Sequence, residues 1–114
     1  MKDSDLLISV KDNVYSIKVI GRANFEYGVP LREMAKNLDD KFTMVCFDMA
    51  DCLAMDSTFM GVMTMIGLKA AKIKAKVEIL NASPTIQKLL KDLGIARLFT
   101  FVDASSAPQA AQTM

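Results

Sequence analysis

Near the middle of the chain, residues 42–49 read FTMVCFDM, an almost unbroken apolar run. A short run of this kind predicts a strand buried on both faces, the central strand of a sheet. Residues 57–73, rich in Met and Ala, predict a long helix, and Lys76–Leu80 (KVEIL) predicts the next strand. Strand, helix and strand in that order require a crossover connection, so the two strands should lie parallel.

The flanks extend the same pattern. Residues 6–10 (LLISV) and 14–21 (VYSIKVIG) predict two strands joined by a turn at Lys11, Asp12 and Asn13, hence a hairpin. In the second strand Val14, Ser16, Lys18 and Ile20 alternate against Tyr15, Ile17 and Val19, so one face is more polar. Residues 21–28 read as a loop. Pro30 suits a first helical turn, and Leu31, Met34, Ala35 and Leu38 follow at helical spacing. Residues 50–58 read as an exit loop. Ser83 as N-cap, Pro84 behind it and Gly94 as the stop bound another helix, with Ile86, Leu89, Leu90 and Leu93 on its buried face. Residues 98–102 predict a last strand, and residues 103–114 a polar tail, helical or frayed.

The order β-β-α-β-α-β-α-β predicts an α/β fold: an N-terminal hairpin, then alternating helices and strands, in a mixed, largely parallel sheet. The 114 residues fit one domain over 1–114, with a core over about 5–103. Hydrophobic residues make up 52% of the chain, ample for that core.

Composition narrows the function. A net charge of +1 supplies no strong field toward nucleic acid or membrane. No signal peptide is read at the N-terminus, and residues 59–71 are too short to span a bilayer and carry Lys69, so a soluble, cytoplasmic protein is expected. The chain has no histidine, which excludes a Ser-His-Asp hydrolase and any Cys/His zinc set. Asp, Lys and Cys form no paired constellation, so no catalyst, cofactor or metal is expected. For Cys46 and Cys52, buried reduced thiols are the expected state, with a disulfide as the alternative.

The segment MDSTFMG, residues 55–61, breaks this apolar context. It lies where the central strand gives way to the long helix, the end at which open α/β sheets collect ligands. One reading is a helix cap by Asp56, Ser57 or Thr58. The other is a site whose helix N-terminus stabilises a phosphate or an anion. On the helix, Phe59, Val62, Met63, Ile66, Ala70 and Ile73 share the core face. Ser57, Gly61, Thr64, Leu68 and Lys72, flanked by Met60 and Met65, make an outward face less polar than water requires, as an interface would be.

These segments resemble the STAS family, specifically the stand-alone bacterial anti-sigma factor antagonists, over roughly residues 6–103. MDSTFMG resembles the family's Asp-Ser-Ser/Thr-Gly-x-Gly motif. The stretch VEILNASPTIQKLLKDLGIARLFTFVD resembles its following strand, Asn-x-Ser-Pro turn, Leu-rich helix and closing strand. GRAN, residues 21–24, resembles the loop after the second strand, which contributes to partner surfaces. The resemblance implies a regulatory protein-binding module that switches partners, with Ser57 as phosphoacceptor and Asp56, Thr58 and Gly61 supporting it. Asn24, Met60, Thr64, Met65 and Leu68 would meet the partner, an anti-sigma factor that is also a serine kinase, and a phosphatase would reset the switch. Met60, Met65 and Leu68 would equally serve a homodimer. Phe59 replaces the family's first Gly, and its ring either covers Ser57 or enters the core. The alternative is a non-phosphorylated STAS module, a scaffold or a soluble subunit of a transport complex, with Ser57 a cap.

Overall fold

The computed structural model describes residues 5–103. Strands β1 (Asp5–Lys11) and β2 (Val14–Ala23) form the expected antiparallel hairpin. Asp12 and Asn13 turn the chain at φ 52° and 65°, the left-handed pair that a two-residue hairpin loop needs. Helix α1 (Phe25–Lys36) leads to β3 (Met44–Asp48), β4 (Cys52–Met55), helix α2 (Ser57–Lys72) and β5 (Lys76–Leu80). Helix α3 (Pro84–Asp92), a 3-10 turn (Ala96–Leu98) and β6 (Thr100–Val102) complete the described residues. The tail expected after residue 103 lies outside them.

The sheet runs β1-β2-β3-β5-β6, with every pair after the hairpin parallel. Ile17 and Val19, Val45 and Phe47, and Val77 and Ile79 turn to one face and are buried. Leu31 and Met34 of α1, Val62, Met63 and Ile66 of α2, and Ile86 and Leu90 of α3 join them in one continuous core. The helices therefore cover a single face. On the other, Lys18, Cys46, Asp48 and Glu78 stay partly exposed. This corrects the expectation of a central strand buried on both faces. Met44 and Cys46, apolar by composition, lie half-buried on the side that the helices of the described residues leave uncovered.

Three local readings also change. Residues 50–58 are not all loop. Strand β2 is ten residues long and β3 only five, so the far end of β2 would have unpaired backbone groups. Strand β4 pairs them in parallel, from Gly21↔Cys52 to Ala23↔Met55. The register shifts between Gly21 and Arg22, where Gly21 takes φ 80° and donates to the Asp51 carbonyl at 2.9 Å. Helix α1 begins before Pro30, at Phe25, so most of the expected loop over 21–28 is strand end and helix start. Gly28 lies where α1 meets α2, and a Cβ there would come within 3.4 Å of Val62 Cγ2. Leu93, expected on the buried face of α3, caps that helix and is exposed.

Both thiols are free; Cys52 is buried and Cys46 half-buried. Burial raises each above the ordinary thiol value, so both stay protonated at neutral pH. On the open face the Lys18 ammonium lies 3.4 Å from Asp48 and 3.3 Å from Asp51. Its hydrogen bond to Asp51 and the charge of Asp48 raise its pKa. A raised lysine pKa stabilises the fold below the unfolded value, and that gain is lost as pH rises through the folded value. Lys18→Gln should cost at most about 1 kcal/mol in urea unfolding at neutral pH, since the pair is half in water. The gap from wild type should close at pH values above the raised pKa, and a gap that persists there would assign it to packing.

Candidate functional site

Helices α1 and α2 start side by side. The Asp56 N–H donates to the Ala23 carbonyl at 2.9 Å, tying the entry of α2 to the exit of β2. Asn24 and Asp56 are the two N-caps. Asn24 Oδ1 accepts the Glu26 N–H at 2.9 Å, and Asp56 Oδ1 accepts the Phe59 N–H at 2.7 Å. The helices then run parallel. Gly28 faces Val62 near their starts, and Lys69 Nζ donates to the Ala35 carbonyl at 2.7 Å near their ends. Two positive dipole ends thus sit at the carboxyl edge of β2 and β4.

Asp56 therefore does the capping that three residue types at this junction favour. Ser57 is the first helical residue, and both it and Thr58 are exposed. Among the described residues neither hydroxyl has a hydrogen-bond partner. Phe59 is fully buried, its ring edge-on to Tyr27 at 6.3 Å between centroids. The ring enters the core and leaves Ser57 uncovered. Asp56→Ala should cost roughly 1 kcal/mol by urea unfolding, with Asp56→Asn retaining most of it. An unchanged alanine variant would mean that another side chain takes over the cap.

The other expected site residues divide. Gly61, Met65 and Leu68 are exposed along the outer side of α2. Thr64 is half-buried, and its hydroxyl donates back to the Met60 carbonyl at 2.9 Å. Met60 is a correction, because it is 7% exposed and belongs to the core. It shares a flank of α2 with Gly67, seven residues on, and there the chain after α3 closes in. A Cβ on Gly67 would meet Leu98 Cβ at 3.1 Å and Phe99 Cε1 at 3.2 Å. Asn24, expected as a surface contact, is a half-buried helix cap. Its cue was an Asn just ahead of a helical pattern, but Gly28 and Pro30 punctuate that pattern and hide the start.

The described residues hold no cluster of three metal-binding side chains and no helix long and apolar enough to cross a membrane. No protein-family model and no curated protein matches the sequence. Solved structures do match its shape. SpoIIAA, an anti-sigma factor antagonist, superposes in its unphosphorylated form at TM-score 0.74 and 14% identity, over 96% of this chain and 94% of that one. The chain has the STAS fold. The phosphorylated Bacillus SpoIIAA matches as well, at TM-score 0.74 and 16% identity, over 96% of this chain and 97% of that one. A sulfate transporter family protein from Wolinella succinogenes matches at 0.71 and 13% identity, over 82% of this chain and 80% of that one. Identities this low establish the STAS fold and transfer no residue role.

Proposed function

We propose that the protein is a regulatory binding module of the anti-sigma factor antagonist kind, switched between partners by reversible phosphorylation of Ser57. The observation that carries this reading is the division of labour at the start of α2. Asp56 caps the helix, which leaves the neighbouring Ser57 hydroxyl exposed and uncommitted. A kinase needs that access. In its reaction the Ser57 Oγ–P bond forms, the bond from the γ-phosphorus to the nucleotide breaks, ADP leaves, and the hydroxyl proton passes to a base of the kinase. A phosphatase returns the hydroxyl by hydrolysis, releasing inorganic phosphate.

The added group carries about −1.5 to −2 charges at neutral pH. At the first position of α2 it faces N–H groups that no helical carbonyl accepts, so the modification is compatible with the fold. Its consequence falls on the partner instead. Charge at the end of the α2 surface repels an acidic contact and blocks close approach. Asp56 and Thr58 flank the acceptor, and Gly61 leaves the next turn of the helix bare.

The match to a sulfate transporter family protein favours a second reading, a module that binds through the same surface without modification. Phosphopeptide mapping of the protein from its own host, beside Ser57→Ala, separates the two. A phosphate on Ser57 that the variant lacks supports the switch. A protein unmodified through growth and stress conditions sinks it and leaves the constitutive module.

A further inference from the structure

Of the eight large hydrophobics exposed among the described residues, four lie on the outer side of α1 and α2. Phe25 is 65% exposed and Val29 62%; Leu68 is 49% exposed and Met65 39%. Phe25, Val29, Arg32 and Lys36 fall at i, i+4, i+7 and i+11, one ridge of α1. Met65, Leu68, Lys69 and Lys72 fall at i, i+3, i+4 and i+7, one ridge of α2. Because the helices are parallel, the two ridges bound a trough. Two adjoining depressions of about 570 and 190 Å³ share Met65 and Lys69; the larger lies on the outer side of α2, and the smaller crosses to Arg32, Ala35 and Lys36 of α1.

The charge on this trough has one sign. Helix α2 contains no acidic residue. Arg32 and Lys72 have no ion-pair partner among the described residues, Lys69 is spent on the Ala35 carbonyl, and Lys36 is 3.7 Å from Glu33. Phe25 and Val29 thus occupy the helix-start end, while Met65 and Leu68 lie among the cations toward the other.

We infer that the outer trough between α1 and α2 is the docking site for an acidic amphipathic helix of a partner protein. A helix laid in a groove buries an apolar stripe and sets its flanking charges against the rims. Carboxylates on those flanks meet Arg32 and Lys72, which are free to pair. A second copy of this chain is disfavoured, because two copies joined through this face would set cations against cations. The inference deepens the Ser57 reading by naming the partner's chemistry. Ser57 stands at the helix-start end of the trough, so a phosphate there meets an acidic helix with like charge. Docking itself needs no phosphate.

The test uses the full chain, isotope-labelled, and a synthetic Leu/Glu amphipathic helix of about 18 residues, long enough to fold on contact. Two control peptides replace Glu by Gln or by Lys. The expected result is that the Glu peptide shifts the amide signals of Val29, Arg32, Met65 and Leu68. It should bind about tenfold more tightly than the Gln peptide and lose about tenfold in Arg32→Glu/Lys72→Glu. Equal binding of the Glu and Gln peptides, or shifts that fall on the open sheet face, would overturn the inference. So would sedimentation with phosphatidylglycerol vesicles and no peptide shifts, which would make the trough a membrane contact. Failure of the Glu peptide to bind the unmodified protein, with phosphate found on Ser57 in the host, sinks the docking alone. Peptide binding holding while Ser57 is never modified sinks the switch alone.

Discussion

Replacing Phe59 by alanine should remove roughly 3–5 kcal/mol of stability, the cost of deleting a fully buried aromatic ring and leaving its cavity. A domain of this size holds only about 5–15 kcal/mol in total, so the variant should sit near the edge of unfolding. The ring is wholly inside, packed against Tyr27, whose hydroxyl donates to the Ile20 carbonyl at 2.9 Å. The cavity would thus open between the starts of α1 and α2 and the end of β2. Phe59→Leu should recover much of the loss, because volume is largely kept. Urea unfolding followed by circular dichroism reads both. A loss below about 1 kcal/mol for alanine would show that the ring is not a core group. A ring lying over Ser57 would then have to be reconsidered.

Ser57→Asp should weaken association with the partner by about 100-fold, while Ser57→Ala binds as wild type does. Like charges opposed at an interface cost several kcal/mol, and each 1.4 kcal/mol is a factor of ten. The fold should not suffer, since a carboxylate in the first turn of a helix is favoured by the dipole. The partner is first identified by capture with wild-type protein and then titrated against each variant. Thermal melting within a few degrees of wild type, together with lost binding, assigns the effect to the interface. Binding retained by the aspartate variant would count against a phosphoswitch and in favour of a constitutive contact.

Where local chemistry and tertiary structure agreed, the sequence was readable. Lys76–Leu80 has the bounds expected of it, and α3 has its Ser83 cap, its Pro84 and its Gly94 stop at φ 77°. The hairpin turn at Asp12 and Asn13 was equally plain, because few residue types accept left-handed backbone. The helix following MDSTFMG was expected over 57–73 and is observed over Ser57–Lys72 with Ile73 as its cap. Which of its three polar starters caps it was not legible. Asp56, Ser57 and Thr58 all suit the task, and the choice fell to Asp56 because its N–H is anchored to Ala23 on β2.

What the chain determined alone was its order of elements, β4 excepted, and with it a largely parallel sheet, since hydrophobic period and turn chemistry are written residue by residue. Tertiary structure decided which faces are covered. Met60 is buried because its side of α2 turns into the shared core, as it does again at Gly67, where Leu98 and Phe99, far on in sequence, close in. Cys46 and Met44 are only half-buried because the helices of the described residues gather on one side. Strand β4 exists because β2 outruns β3, a mismatch in length between two segments that neither shows by itself. Burial, unlike helix or strand, belongs to a pair of surfaces, and only folding brings the second surface to the first.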